Sequence, residues 1–150
     1  YNISAQSKTD LSKYWDQKNY RPITIESVKN KFKNKDKLKK IEGIWQQDNK
    51  KIIAIEFNDN QKWWGFRFSK FVISDKSGDL KSGIKEATIH RTKYEDYFII
   101  FEKSEIKLDG NYFTNFGTMK LLGENEIIVK IFRKKNQSIL KEYKLIRIFP

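Results

Sequence analysis

Six carboxylates are the first candidates for catalytic residues, because paired carboxylates can hydrolyse a glycosidic bond. That chemistry needs two carboxyl groups about 5–9 Å apart, one to donate a proton and one to activate water or attack. Each carboxylate here stands beside a turn signal or among other charges, which is typical of a solvated surface. Nothing in their spacing brings two together, so we predict that the protein is not an enzyme. The six are Glu56, Asp59, Glu86, Glu95, Asp96 and Glu102.

Nucleophilic, metal and cofactor chemistry find little support in the composition. The chain has no cysteine, which excludes disulfides, thiolate nucleophiles and thiolate metal ligands. Its single histidine, His90, is more typical of a half-exposed strand residue than of a general base or a metal ligand. The sequence contains no glycine-rich phosphate loop and no nucleotide-binding fingerprint. We therefore expect no metal and no cofactor.

Five aromatic residues close together in the sequence are candidates for a ligand-binding wall. They fall within one predicted strand, residues 62–74, in a chain that is 15% aromatic. Such side chains can line a cavity or simply fill the inside of a barrel, because an eight-stranded barrel is just wide enough for either. The sequence leaves both alternatives open. The five are Trp63, Trp64, Phe66, Phe68 and Phe71.

The charge is strongly positive and is carried mainly by lysine. Lys and Arg total 31 against 19 Asp and Glu, a formal net charge of +12, and five of the cations are arginine. Lysine is a hydrated point charge and lacks the planar fork that reads bases, so nucleic acid is an unlikely partner on this count. Seven lysines lie between Lys29 and Lys40. They indicate either a solvated face or a patch for an anionic partner.

The first 42 residues are polar, Lys-rich and compatible with helix. Ile3-Ser4-Ala5 resembles the end of a secretory signal peptide cleaved after Ala5, so we interpret residues 1–5 as a signal-peptide remnant. The protein is then expected to be exported, either periplasmic or secreted. Residues 6–42 form a helical lead-in, with one short helix near Asp10 and a second capped by Thr24. No run of about 18 apolar residues occurs, which predicts that no transmembrane segment is present.

From Gly43 onward the hydrophobic period changes to two, and turn signals separate short β-branched and aromatic runs. Eight to ten antiparallel strands result, with Gly65 and Gly117 expected to bend or interrupt two of them. A meander of this kind most simply closes into an up-and-down barrel, because closure removes exposed edges. We therefore predict a mainly β protein with one barrel domain at residues 43–150. The predicted strands are 43–47, 52–57, 62–74, 84–92, 97–103, 105–108, 112–122, 126–133 and 139–149.

The start and end of this predicted barrel resemble a known superfamily. Gly43-x-Trp45 at the first strand is similar to the Gly-x-Trp signature of the calycins, which include lipocalins and their bacterial lipocalin-like relatives. In those families the Trp closes one end of the barrel and a basic residue of the last strand packs across it, a position that Arg147 would take here. The later Thr-Asp-Tyr motif of lipocalins has no counterpart. The resemblance implies Gly43, Trp45 and Arg147 as a structural anchor and a small hydrophobic ligand inside the barrel.

Three functions remain open. The first is an exported, non-catalytic binding protein whose barrel holds a small hydrophobic or amphipathic ligand. The second is an interaction protein whose basic surface engages an anionic partner, such as an envelope polymer, a lipid headgroup or an acidic protein. The third and weakest is a nucleic-acid-binding barrel that combines basic patches with exposed aromatics. The volume and lining of the barrel interior are the features that separate them.

Overall fold

The computed structural model describes residues 22–58, 67–78, 80–106 and 112–150. Several predictions from the sequence fall outside these ranges. They are the signal-peptide remnant 1–5, the helix near Asp10, the turn at Asp109-Gly110, the bend at Gly65, the candidate carboxylate Asp59, and the candidate ligand residues Trp63, Trp64 and Phe66.

Eight antiparallel strands form one closed barrel in which each strand pairs with the next along the chain and the last pairs with the first. The predicted architecture is confirmed. Within the described residues one helix, α1 (Ile25–Lys33), precedes the barrel. The strands are β1 (Gly43–Gln47), β2 (Lys51–Asn58), β3 (Arg67–Asp75), β4 (Lys85–Arg91), β5 (Tyr97–Ile106), β6 (Tyr112–Leu122), β7 (Glu126–Phe132) and β8 (Ile139–Phe149).

Two details of the predicted strands were wrong. Residues 97–103 and 105–108 were expected to be separate strands, but β5 continues from the first into the second as far as Ile106, with a register shift between Lys103 and Glu105. Gly117 was expected to interrupt its strand, but β6 continues through it. A Cβ at Gly117 would lie 2.3 Å from the carbonyl oxygen of Lys130. The glycine therefore allows β6 and β7 to approach closely, and it does not break the strand.

Helix α1 covers part of the outer wall of the barrel. Thr24 caps it as predicted, since its hydroxyl accepts from the Ser27 amide at 3.0 Å and the Ser27 hydroxyl accepts from the Thr24 amide at 3.0 Å. Val28 and Phe32 are buried against Ile44, and they belong to an outer apolar cluster that also contains Ala54 and Ile73. No helix among the described residues is long and apolar enough to cross a membrane.

A single apolar cluster fills much of the barrel interior. It runs from Ile41 and Trp45 near the start of β1 to Ile131 near the end of β7. The pairing explains it, because residues opposite each other, such as Met119 and Val129, share the inner face of the sheet. Every one of these five residues is almost completely buried.

The segment that leads into β1 closes one end of the barrel. We call residues 37–42 the strap and this end of the barrel the strap end. Ile41 is fully buried in the interior cluster, and its carbonyl oxygen accepts from Trp45 Nε1 at 3.0 Å. The Glu42 carboxylate accepts from the Lys39 amide at 3.0 Å and from the Phe57 amide at 3.1 Å. These contacts hold the strap to both β1 and β2.

Arg147 joins the strap to the last strand. Its guanidinium carbon lies 4.2 Å from the centroid of the Trp45 ring, so the contact predicted from the sequence is present. The guanidinium also donates to three carbonyl oxygens: those of Lys40, of Glu42 (2.9 Å) and of Glu124 (2.8 Å). One side chain thus connects the strap, β1, β8 and the β6–β7 turn.

Gly43 leaves room for this arrangement. Its φ is +152°, and a Cβ there would lie 2.3 Å from the Phe149 carbonyl oxygen and 2.9 Å from Arg147 Nη1. Any larger residue would displace the last strand or the guanidinium. The glycine of Gly43-x-Trp45 therefore has a steric reason in this barrel.

Trp45→Ala should lower the free energy of unfolding by about 3–5 kcal/mol, because it removes a buried indole and leaves a cavity. Arg147→Ala should cost less, roughly 2 kcal/mol, and Arg147→Lys should recover part of that, since an ammonium cannot reproduce the planar set of donors. Urea denaturation measures the free energy of unfolding of the three variants, and thermal denaturation measures their melting midpoints. If Trp45→Ala melts within about two degrees of the parent, the barrel is not organised around this residue.

Candidate functional site

The two described residues of the predicted ligand-binding set lie on different faces of β3. Phe68 points into the barrel, where its ring contacts those of Phe57 and Phe98 edge-on with centroids 5.4 and 6.0 Å away. Phe71 is half-buried and lines a groove beside α1. The two residues are three positions apart on β3, and the alternation of side chains along a strand places them on opposite faces. The structure therefore does not bring Phe68 and Phe71 into one pocket.

Phe68 forms part of the floor of a cavity beside the strap, which we call the strap cavity. Its volume is about 540 Å³. Ile41, Phe68 and Phe98 belong to the interior cluster of the barrel, so the floor of the strap cavity is continuous with the core. The lining residues are Lys37, Leu38, Lys39, Lys40, Ile41, Phe68, Arg91, Thr92, Lys93, Tyr94, Glu95 and Phe98.

The charged residues around the strap cavity are predominantly positive. Four lysines and Arg91 line it against a single carboxylate, Glu95, so its formal charge is +4. Lys40 Nζ lies 2.6 Å from Glu95 Oε1, and this hydrogen bond raises the pKa of Lys40 and lowers that of Glu95. The one carboxylate is therefore already neutralised by an ammonium. An anionic group entering the cavity would meet a positive potential.

A larger groove on the other side of the strap differs in charge balance. It has a volume of about 760 Å³ and is lined by four lysines and by three acids, Asp36, Glu42 and Glu56. Lys31 Nζ lies 2.8 Å from Glu56 Oε2, and Lys35 pairs with the buried Glu42. Because these charges are largely satisfied by one another, the strap cavity is the better candidate for an anionic ligand.

At the opposite end of the barrel the interior is polar. Seven side chains, which we call the polar cluster, occupy the inner wall where β1, β3 and β5 end and where β2, β4 and β8 begin. Glu86 stands opposite the register shift at Lys70, and such a bulge re-aims a side chain that would otherwise alternate outward. The polar cluster consists of Gln47, Lys51, Lys70, Glu86, Glu102, Lys141 and Tyr143.

Lys70 lies at the centre of the polar cluster and is completely buried. Its ammonium donates to Gln47 Oε1 at 2.9 Å, to the Tyr143 hydroxyl at 2.8 Å and to Glu102 Oε1 at 3.4 Å. Glu86 Oε2 lies 3.3 Å away. The Tyr143 hydroxyl in turn donates to Glu102 Oε2 at 3.1 Å. A buried ammonium is tolerable only with this number of acceptors around it.

Two further lysines complete the polar cluster nearer the solvent. Lys51 Nζ donates to Glu86 Oε1 at 2.6 Å, and its side chain is 13% exposed. Lys141 Nζ donates to Glu102 Oε1 at 3.2 Å, and its side chain is 36% exposed. Each buried carboxylate therefore faces two ammonium groups.

Burial and charge act in opposite directions on the pKa values here. Burial alone would raise the pKa of Glu86, but the ammonium groups of Lys70 and Lys51 outweigh it and hold the pKa well below its usual range. Burial lowers the pKa of Lys70 against the opposing pull of Glu102 and Glu86. Burial and the neighbouring Glu102 raise the pKa of Tyr143. Glu86 thus stays ionised and Tyr143 stays protonated at neutral pH.

The interpretation of Glu86 and Glu102 as ordinary surface carboxylates was wrong, since their side chains are 2% and 0% exposed. The alternation along the strands carries a signal for this burial. Phe98, Ile100 and Glu102 share one face of β5, and Phe68 and Lys70 share one face of β3. A charge at an inward position of a strand implies a buried partner.

The outer wall of the barrel carries a line of rings that are exposed or half-buried, which we call the aromatic row. Ring centroids lie 5.4 Å apart between His90 and Phe101, 6.3 Å between Phe101 and Phe116, and 5.8 Å between Phe116 and Phe132. Phe101 and Phe116 are 38% and 46% exposed. Burial and the nearby Arg67 lower the pKa of His90, so this ring is neutral at pH 7.

Comparisons of the chain with protein-family models, curated proteins and solved structures return no match. Within the described ranges, no group of three or more His, Asp or Glu side chains is placed to hold a metal ion. The candidate sites therefore stand on their own geometry, and the lipocalin resemblance rests on Gly43, Trp45, Arg147 and the strand pattern.

Replacing Glu86 by glutamine should make stability less dependent on pH. Because the folded pKa of Glu86 lies below its unfolded value, its contribution is present above about pH 4.3 and is lost as the pH falls. Glu86→Gln should cost roughly 3 kcal/mol at neutral pH, since Lys70 and Lys51 lose a charge partner, and less in acid. Urea unfolding between about pH 3 and pH 7 measures this.

Glu142→Gln is the matched control. Glu142 is 52% exposed, and its ion pair with Lys130 is weak because the two charged atoms are 4.0 Å apart. It should change stability by less than about 0.5 kcal/mol at any of these pH values. Equal pH profiles for the Glu86 variant and the parent would contradict the role given to Glu86.

Proposed function

We propose that this protein is a non-catalytic binding protein for an anionic amphipathic ligand, which it takes at the strap cavity. The observation that carries the proposal is the combination of an apolar floor with a positively charged rim. Leu38 and Tyr94 offer accessible aliphatic and aromatic surface above the buried floor of Ile41, Phe68 and Phe98, and the rim has a formal charge of +4. This proposal combines two functions that the sequence left open, an amphipathic ligand and an anionic partner.

The size of the strap cavity suits a small ligand. Its volume of about 540 Å³ lies within the roughly 300–1,000 Å³ of typical ligand sites. A carboxylate or phosphate head would contact Lys93 and Arg91, and a short apolar tail would lie against Leu38 and Tyr94. Burying the tail supplies about 25 cal/mol per Å², and the head supplies orientation.

A ligand deep inside the barrel, as the lipocalin resemblance implies, has less support. Ile53, Ile89, Ile100 and Val129 occupy the interior and are fully buried. A ligand there would have to displace well-packed side chains, which costs free energy that a ligand at the strap cavity does not spend. Export to the periplasm or the medium remains a prediction that rests on Ile3-Ser4-Ala5.

The test is a double charge reversal at the rim, Arg91→Glu with Lys93→Glu, which takes the formal charge of the strap cavity from +4 to zero. We expect dodecanoate to bind the parent and to bind the variant at least about tenfold more weakly, because two charge-assisted contacts are lost. Displacement of a fluorescent anionic dye measures both. Flotation with phosphatidylglycerol vesicles distinguishes a membrane headgroup from a free amphipath.

The matched control is Lys134→Glu with Lys135→Glu, which changes the net charge equally in the exposed β7–β8 turn at the other end of the barrel. It should bind dodecanoate like the parent. Dodecanol tests the need for charge, and its binding should be much weaker than that of dodecanoate. Equal binding of the alcohol, or equal loss in both double variants, would overturn the proposal.

The aromatic row favours a second candidate function, binding of single-stranded nucleic acid. Bases stack on exposed rings without sequence preference, at about 1–3 kcal/mol per base. Lys103 and Lys130 flank the row: Lys103 lies two residues beyond Phe101 on β5, and Lys130 lies two residues before Phe132 on β7. Both lysines therefore share the outer face with the rings.

A gel shift with a short oligothymidine at about 50 mM salt tests this second function. The double variant Phe101→Ser and Phe116→Ser should abolish retardation, since both rings are exposed and their loss leaves the core intact. The Arg91 and Lys93 variant is the control and should retain it. Absence of retardation for the parent would remove nucleic acid from consideration.

A further inference from the structure

Another cavity lies at the strap end of the barrel, between the strap and the β6–β7 turn, and we call it the turn cavity. Its volume is about 560 Å³. Leu38 and Pro150 give it accessible apolar surface above the buried Leu121. The function proposed for the strap cavity makes no use of this space.

The turn cavity differs from the strap cavity in charge. Three cations and three carboxylates line it, so the formal charge of its described residues is zero, against +4 at the strap cavity. Three carbonyl oxygens engage the guanidinium of Arg147, and the Glu42 carboxylate is buried. The two cavities together therefore offer one positive end and one neutral end. The six charged residues are Lys39, Lys40, Glu42, Asp96, Glu124 and Arg147.

The two cavities are neighbours, because Leu38, Lys39 and Lys40 line both of them. Lys40 Nζ lies 2.6 Å from Glu95 Oε1, at the strap cavity, and 3.5 Å from Asp96 Oδ1, at the turn cavity. The Lys40 side chain therefore crosses from the strap to the β4–β5 turn at their boundary. These three side chains are 54%, 75% and 57% exposed. Ion pairs between exposed side chains contribute little to stability, so a ligand can displace this one readily.

We propose that the ligand is a long-chain monocarboxylate whose alkyl tail extends beyond the strap cavity, past Lys40, into the turn cavity. The head would contact Arg91 and Lys93, and the tail would follow Leu38, which lines both cavities, to Pro150. This inference rests on the proposed function and adds the class of ligand to it. The far end of the tail is uncharged, because a charge entering the neutral, partly apolar turn cavity would lose hydration without gaining a counter-charge.

Octanoate and hexadecanoate separate this inference from the proposed function, since they share a head and differ only in the length of the tail. Dye displacement on the full chain, at concentrations below those at which hexadecanoate forms micelles, measures both affinities. The parent should bind hexadecanoate at least about tenfold more tightly, because additional methylenes are buried. Equal affinities would overturn the extended tail and leave the proposed function intact. Absence of binding by either acid would overturn both.

Hexadecanedioate shows where the far end of the tail lies, because it carries a second carboxylate there. If that end lies in the turn cavity, the parent should bind the diacid at least about tenfold more weakly than hexadecanoate. If the diacid binds as tightly as the monoacid, or more tightly, the far end lies in water and the proposal is wrong.

Asn125→Lys places an ammonium at the turn cavity, and Asn125 is exposed, so replacing its side chain leaves the core unchanged. The preference for hexadecanoate over the diacid should fall about tenfold, because the second carboxylate gains a charged partner. The affinity for octanoate should stay within about twofold of the parent, since the added charge is exposed and screened by salt.

The matched control is Asn30→Lys, which makes the same change of charge at an exposed position of α1 that lines neither cavity. It should retain the preference of the parent for hexadecanoate. An unchanged preference in the Asn125 variant, or an equal change in both variants, would overturn the placement of the tail in the turn cavity.

Discussion

The guanidinium of Arg147 is the contact on which the closed end of this barrel depends. It lies over Trp45 and donates to carbonyls of the strap and of the β6–β7 turn. It therefore connects the last strand, β8, to the first strand, β1, and to the segment that precedes it. Planar geometry is what makes this possible, because five donors in a fixed fork can satisfy several carbonyls while one face remains on the indole. The strap cavity exists because this contact holds residues 37–42 across the end of the core.

The barrel interior is closed off from water in a different way at each end. At the strap end, apolar side chains are covered by a strap whose backbone polar groups are satisfied by Arg147, Glu42 and Trp45. At the other end, the interior is occupied by ions that neutralise one another around Lys70. Apolar packing in the middle separates them.

Much of the architecture could be predicted from the sequence because it depends on local patterns. The change of period at Gly43, the turn residues and the number of apolar runs were sufficient for a closed antiparallel meander. Thr24 was recognisable as a cap because capping involves only the next three residues. Even the Trp45–Arg147 contact followed from closure, since closure makes the first and last strands neighbours and the register then pairs these two residues.

The sequence by itself therefore determined the class of fold, the helix cap and the residues that meet where the barrel closes. It did not determine the candidate sites, because their partners come from distant strands and their relation depends on register. Glu86 enters the interior through a register shift that no local pattern announces, and Lys70 meets Tyr143 across 73 residues of chain. A shift of one residue moves a side chain from the solvent to the core. Only the tertiary structure could decide whether these charges face water or one another.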